Sequence, residues 1–126
     1  MSEFVPISKD EEREQPVPSA WRATLTAIVD ALKRRDYQFD GIQNVDAVEA
    51  KTAKAIAANI MAYGHELTAL PAESWQTSVC SWQLDYWDIL VDLFTVDEGR
   101  SDLVLHLRAL EDETRVRFQL HLVYVP

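Results

Sequence analysis

Two histidines and one carboxylate fall on strand-like runs that we expect to lie side by side. His106 and His121 lie on neighbouring runs, and Asp92 lies on the run before them. Two imidazoles and a carboxylate are a common ligand set for divalent metals, and the same groups can transfer protons. A small hydrolase or isomerase that uses His106, His121 and Asp92 is therefore one interpretation. The spacing is also typical of ordinary polar sheet residues, so we predict no metal site.

Other signatures of catalysis are missing from the sequence. There is no G-x-G-x-x-G, P-loop, G-x-S-x-G, H-E-x-x-H or C-x-x-C, and the chain has three glycines. Cys80, predicted on the outer face of the sheet, has no histidine or second cysteine near it in sequence that would favour a thiolate nucleophile. Asp88 and Asp92 form a carboxylate pair, but acid–base catalysis needs a pocket that shifts their pKa values. We predict a protein that is not an enzyme and has no cofactor.

Acidic and aromatic side chains are concentrated together between Pro71 and Asp102. This stretch has a single cation, Arg100, and holds three of the four tryptophans. Apolar residues alternate through it at strand spacing, so we expect it to fold rather than remain solvated. We interpret it as a candidate binding face. Its seven carboxylates are Glu73, Asp85, Asp88, Asp92, Asp97, Glu98 and Asp102.

Composition limits the class of protein and of partner. A chain of 126 residues with 48% hydrophobic content is long enough for one core and too short for two ordinary domains. Its net charge of −9 repels nucleic acid and anionic membranes, and attracts a basic protein partner. A lone cysteine excludes an internal disulfide, and no signal peptide or apolar run of about 20 residues is evident. We expect a soluble cytoplasmic protein.

The first half of the chain predicts an arm and two helices. Residues 1–18 are charged and proline-rich, which predicts a flexible or loosely docked N-terminal arm before a single domain over residues 19–126. Apolar residues recur at helical spacing after Ser19, a plausible N-cap, to about Asp36. A second helix is expected from Asn44 or Asp46 to Tyr63, closed by Gly64 in a left-handed conformation.

The second half changes to a period of two residues and predicts four strands joined by short polar turns. An antiparallel meander is the simplest connection, with its apolar face covered by the two helices. The predicted fold is α+β, a two-layer sandwich of two N-terminal helices on a four-stranded antiparallel meander sheet. The expected strands cover Trp75 to Trp82, Tyr86 to Thr95, Ser101 to Leu110 and Arg115 to Val125.

The opposite, outer face of that sheet has mixed chemistry. Turn lengths predict Asp88 across from Arg108, and Arg108 across from Arg117. One interpretation is a solvated sheet surface. The face is more apolar than such a surface usually is, so the alternative is that a partner, a second copy or the arm covers it. Its predicted members are Trp82, Tyr86, Asp88, Leu90, Asp92, Phe94, Asp102, Val104, His106, Arg108, Arg117, Gln119, His121 and Val123.

One motif resembles a known group of sequences. The run from Trp87 to Thr95, WDILVDLFT, followed by DEGRSDL from Asp97 to Leu103, looks like a motif of an uncharacterised family of small bacterial proteins. The resemblance implies a hairpin in which Gly99 supplies an unusual backbone angle, and it brings no established activity. In size, acidity and lack of catalytic motifs, the chain also resembles the immunity proteins of bacterial toxin systems.

The net negative charge makes an immunity protein the main functional hypothesis. A nuclease toxin is basic where it grips phosphate, so an acidic inhibitor can cover that surface. The alternative is a homodimeric binding or regulatory module that packs its outer sheet face on a second copy. For the first hypothesis, the expected steering carboxylates are Asp85, Asp88, Asp92, Asp97, Glu98 and Asp102. The expected aromatic anchors are Trp82, Tyr86 and Phe94.

Overall fold

A computed structural model describes residues 8–126 and has an α+β fold with two helices and an antiparallel sheet, as predicted. The sheet has five strands rather than four, in the order β1-β2-β3-β4-β5. The helices are α1 (Ser19–Lys33) and α2 (Ala50–Tyr63), with a short 3-10 helix at Ala72–Gln76. The strands are β1 (Gln15–Pro16), β2 (Val79–Trp82), β3 (Trp87–Thr95), β4 (Gly99–Glu111) and β5 (Val116–Tyr124).

The additional strand comes from the segment predicted as an arm. Gln15 lies opposite Cys80 and Pro16 opposite Val79, so β1 forms the edge of the sheet beside β2. An edge position tolerates proline, which has no N–H to donate. Val17 is buried, at 1% exposure, two residues before α1 begins. Residues 1–7 of the predicted arm lie outside the described residues.

Both helices pack into one core with the sheet. The ring of Trp21 on α1 lies 6.0 Å from that of Trp87 and 5.9 Å from that of Phe118, in edge-to-face geometry. On α2, Ile56 is fully buried in the same core. The Asn59 side-chain amide donates a hydrogen bond to the Val123 carbonyl of β5, at 2.9 Å. Neither helix is both long and apolar enough to cross a membrane, in the portion of the chain that the structure describes.

The segment before α2 is extended, so the helix begins later than predicted. The Phe118 N–H donates to the Asn44 carbonyl at 2.8 Å, and the Asp46 N–H donates to the Phe118 carbonyl at 2.9 Å. These bonds hold residues 44–46 along the outer edge of β5. The helix therefore starts at Ala50, and it ends as predicted with Gly64 in the left-handed region, at φ 82°.

The register between β2 and β3 corrects the predicted faces of Trp82 and Cys80. Trp82 lies opposite Trp87 and Cys80 opposite Ile89, so both point to the helix side and not to the outer face. Residues that lie opposite each other in a sheet share a face, and a shift of one residue in the turn reverses the face of a whole strand. Four residues, Gln83–Tyr86, separate the paired tryptophans.

A bulge in β5 corrects the predicted outer face a second time. Leu107 lies opposite Leu120, but His106 lies opposite Leu122, so one extra residue is inserted into β5. Beyond it the faces exchange: Val123 is fully buried, and Leu122 and Tyr124 move to the outer face. The predicted pair of Asp88 and Arg108 is confirmed, whereas Arg108 lies opposite Gln119 and not opposite Arg117.

Candidate functional site

The residues predicted to form one binding face lie at two ends of β3. Between its first and last residues, β3 spans roughly 26 Å at the usual strand rise. Asp92 lies between the two groups. Near the start of the strand are Trp82, Asp85, Tyr86 and Asp88, and near its end are Phe94, Asp97, Glu98 and Asp102.

The first group, which we call the aromatic end, is largely engaged within the protein. The ring of Trp82 lies 5.1 Å from that of Trp87, and the Lys9 ammonium lies 4.8 Å from the Trp82 ring centroid. The same ammonium pairs with the Glu111 carboxylate at 3.1 Å, so the segment before β1 reaches across Trp82 to the end of β4. Tyr86 is covered by the Arg108 guanidinium, 4.4 Å above its ring.

Asp92 joins β3 to the 3-10 helix. Its carbonyl accepts a hydrogen bond from the Ser74 hydroxyl at 2.7 Å, and its N–H donates to the Ser78 hydroxyl at 3.0 Å. The Asp92 carboxylate accepts a hydrogen bond from the Thr77 hydroxyl. These contacts give Asp92 a structural role, because they hold β3 against the 3-10 helix and the residues that follow it.

The two histidines do meet, but with a different carboxylate from the one predicted. The rings of His106 and His121 lie 4.8 Å apart, and His106 Nε2 lies 3.0 Å from Asp88 Oδ1. Asp88 thus takes the position that the sequence analysis gave to Asp92. Within residues 8–126, no three His, Cys, Asp or Glu side chains form a group that could hold a metal ion.

The second group contributes to a surface that we call the acidic tip, formed by Glu66, Asp97, Glu98, Arg100 and Asp102. All five are exposed. Glu66 joins the hairpin between β3 and β4 because its carbonyl accepts a hydrogen bond from the Val96 N–H, at 2.9 Å. Arg100 is the only lysine or arginine between residues 55 and 107, so the tip carries four carboxylates and one cation.

Tyr63, which the sequence analysis did not select, fixes the acidic tip to the end of α2. Its hydroxyl donates to Glu98 Oε2 at 3.0 Å and accepts a hydrogen bond from the Asp102 N–H at 3.0 Å. That backbone hydrogen bond alone would lower the pKa of Tyr63. Desolvation and the nearby Glu98 and Asp102 carboxylates outweigh it, and the pKa is raised. The only sequence signal is a tyrosine directly before the glycine that closes the helix.

Further bonds within the hairpin order the tip. Thr95 Oγ1 donates to Glu98 Oε1 at 3.0 Å and accepts from the Glu98 N–H at 3.2 Å. Gly99 has φ 75°, the left-handed angle implied by the motif. The Ser101 hydroxyl donates to the Leu93 carbonyl at 2.8 Å where the ladder between β3 and β4 is irregular. Phe94 is buried, at 5% exposure, which leaves little of this predicted anchor accessible to a partner.

Exposed apolar side chains border the acidic tip. Met61 is 80% exposed, Val96 is 63% exposed and Val125 is 52% exposed. Met61 lies near the end of α2, Val96 lies in the hairpin, and Val125 follows β5, so the topology brings all three to the same end of the sheet. None of the three was selected from sequence. Helical spacing places Met61 on the apolar face of α2 that was expected to pack, and Val96 and Val125 lie beyond the ends of their strands, where periodicity gives no sign of exposure.

Cys80 lies in the core and has no catalytic setting. The side chain is fully buried, and its thiol lies 3.6 Å from the Pro16 carbonyl of β1. Desolvation by burial raises the pKa of the thiol to about 12. A thiol with this pKa remains protonated at neutral pH, which argues against a nucleophilic role.

The family model described as "Domain of unknown function (DUF7668)" matches residues 29–126. The chain belongs to this family. The match covers the last third of α1 and all of α2, the 3-10 helix and β2–β5, so the acidic tip and the histidine cluster both lie within the DUF7668 region. Strand β1 and the first two-thirds of α1 precede it. No curated protein and no solved structure was found to match the chain.

Proposed function

We propose that this DUF7668 protein is a non-catalytic immunity protein that neutralises a basic, nuclease-type bacterial toxin by direct binding through the acidic tip. The observation that carries the proposal is the composition of the tip: four exposed carboxylates with one cation, next to exposed apolar side chains. Carboxylates of this kind attract and orient a basic partner, because complementary charge raises the association rate.

Apolar contacts are needed as well, because exposed ion pairs alone contribute little affinity. Met61, Val96 and Val125 supply exposed apolar surface beside the carboxylates. Buried apolar anchors surrounded by polar groups are the usual arrangement of an interface with a few dominant residues. At the aromatic end Leu84 is also exposed, at 66%, but Trp82 is packed against Trp87 and lies beneath Lys9, so the aromatic side chain there is less accessible to a partner.

The order of the tip also supports binding. Tyr63 and Thr95 hold the Glu98 carboxylate from two sides, so this acid has little side-chain freedom to lose when a partner binds. Groups already fixed in position bind more tightly than mobile ones because less conformational entropy is lost. By contrast, the Asp97 side chain is 73% exposed, and its contact with His65 is 3.5 Å long.

The test is co-expression of the tagged chain with the protein encoded immediately upstream, in cells whose growth reports toxicity. We expect a basic, toxin-sized polypeptide to co-purify at both low and high salt, and growth to be protected. A tip variant, Glu66→Gln with Asp97→Asn and Asp102→Asn, should lose protection while remaining folded. It leaves Glu98 intact because Glu98 bonds to Tyr63.

A matched control removes three exposed carboxylates elsewhere, with Glu11→Gln, Asp40→Asn and Glu113→Gln. It makes the same change in net charge, so it separates the tip from general acidity. We expect the control to protect growth as well as the native chain does. Recovery of the native chain alone, with no protection, would contradict the proposal.

A second candidate function is a homodimeric binding module, and the bulge in β5 favours it. The bulge turns Leu122 and Tyr124 onto the outer sheet face, where they join Leu90, all of them half-buried. An apolar sheet face can be covered by its own copy around a two-fold axis. Sedimentation at micromolar concentration decides this: a mass near twice 14.4 kDa supports a dimer, and a mass near 14.4 kDa contradicts it.

A further inference from the structure

A cavity of about 300 Å³ lies where the start of α2 passes the bulge in β5. One wall comes from residues 47–52, which lead into α2 and form its start, and the other comes from Arg108 of β4 and residues 119–121 of β5. The bonds of residues 44–46 to Phe118 fix the first wall, and the bulge at His121 shapes the second. The polar side chains that line the cavity are Glu49, Thr52, Arg108, Gln119 and His121.

The cation in this cavity is incompletely paired. Arg108 Nε is buried and has no hydrogen-bond partner among the described residues. The nearest carboxylate oxygen, Asp88 Oδ1, lies 3.8 Å away and is already 3.0 Å from His106. The Tyr86 ring lies 4.4 Å from the guanidinium carbon and holds the group in place. The guanidinium therefore has donors available for a bound carboxylate.

The carboxylate in this cavity is free as well. Glu49 precedes the first turn of α2, but its side chain makes no capping hydrogen bond. It is exposed, and no ion pair joins it to Arg108 within residues 8–126. Glu49 and Arg108 thus line one cavity without forming an ion pair, which leaves space between the two charges for a ligand.

We propose that this cavity binds a small zwitterion, a molecule with one carboxylate and one ammonium group, such as a free amino acid. The ligand carboxylate pairs with Arg108 and the ammonium group pairs with Glu49. A simple anion would be repelled by Glu49 and a simple cation by Arg108, so the cavity selects for a ligand that carries both charges. Gln119, Thr52 and His121 add hydrogen-bonding groups between them.

The experiment is an NMR titration of the full chain that follows the Gln119 side-chain amide and the His121 ring. The probes are glycine, β-alanine, γ-aminobutyrate and 5-aminovalerate, which separate the two charges by increasing distances. Propionate and propylammonium are the single-charge controls, at the same ionic strength. We expect saturable shifts with at least one zwitterion, at an affinity about tenfold or more above that of either control, which corresponds to about 1.4 kcal/mol.

Two variants test the assigned partners. Arg108→Gln and Glu49→Gln should each weaken binding of the best zwitterion about tenfold, whereas Glu66→Gln at the acidic tip should not change it. Glu49 is exposed, so its variant keeps the test valid even if Arg108→Gln disturbs the fold. No saturable shift with any of the four zwitterions, or equal binding of a single-charge control, would overturn the proposal. The result does not depend on whether a toxin binds the tip.

Discussion

The two ends of β3 have similar composition and different surfaces. At the aromatic end, Trp82 packs against Trp87 and is crossed by Lys9, so acidic and aromatic residues there mainly stabilise the fold. At the acidic tip, Glu98 is held by Tyr63 and exposed carboxylates lie beside exposed apolar groups. A segment rich in acids and tryptophans is therefore not by itself a binding surface. A partner can contact only those side chains that remain exposed once the others are packed in the core or paired within the protein.

The largest expected effect is at the aromatic end. Trp87→Ala removes a fully buried ring that contacts Trp21 and Trp82, and it should lower the free energy of unfolding by about 3–5 kcal/mol. Trp82→Ala, at a half-buried position, should cost less than half as much. Urea denaturation of the two variants measures the difference. A loss below about 1 kcal/mol for Trp87→Ala would show that the aromatic end does not stabilise the fold as proposed.

Alkaline pH should also weaken the core next to the aromatic end, through Cys80 on β2. Burial raises the pKa of its thiol to about 12, above the unfolded value of about 8.5. The stabilisation is therefore fully present below about pH 8.5 and is lost as the pH rises towards 12. Between pH 8.5 and 10.5 the native chain should lose roughly 2 kcal/mol more than Cys80→Ala does. Urea unfolding at each pH checks this, and parallel curves for the two proteins would disprove it.

At the tip, Tyr63→Phe should have a moderate effect. The change removes hydrogen bonds to Glu98 and Asp102 and leaves the ring in place, so we expect a loss in unfolding free energy that is smaller than that of Trp87→Ala. Hydrogen exchange of the Asp102 amide should become faster. Unchanged exchange would mean that Tyr63 does not order the tip.

The smallest effect on stability should come from the exposed tip carboxylates. The tip variant, with Glu66, Asp97 and Asp102 neutralised, should change the free energy of unfolding by no more than about 0.5 kcal/mol. The control variant at Glu11, Asp40 and Glu113 should change the free energy of unfolding by no more than the same amount. Thermal or urea unfolding measures both. A loss of several kcal/mol would show that the tip carboxylates stabilise the fold, as the aromatic end does.

The fold could be predicted from sequence where the hydrophobic pattern repeats along most of an element. Trp21, Leu25 and Ile28 recur at helical spacing, and Ile89 and Val91 alternate along a strand, so both elements were correctly expected. Strand β1 was missed because two residues, one of them proline, carry no period. The faces of Trp82 and Val123 were wrong because a turn register and a single inserted residue decide them, and neither leaves a signal in composition.

The candidate site was predicted less completely than the fold. Asp97, Glu98 and Asp102 were selected from local charge, and the structure does bring them to one end of the sheet. Tyr63 and Glu66 were missed because their contacts with the hairpin span about 30 residues or more of sequence. Long-range contacts of this kind depend on how α2 packs against β5, which no local pattern encodes.

Association kinetics test most directly whether the acidic tip guides the partner. The rate at which the captured basic partner associates is measured for the native chain, the tip variant and the control variant across a range of salt concentrations. We predict that the tip variant associates about tenfold more slowly at low salt and depends less steeply on salt, whereas the control stays within about threefold of the native rate. Equal slowing of the two variants would contradict the role of the acidic tip, because net charge alone would then guide the partner.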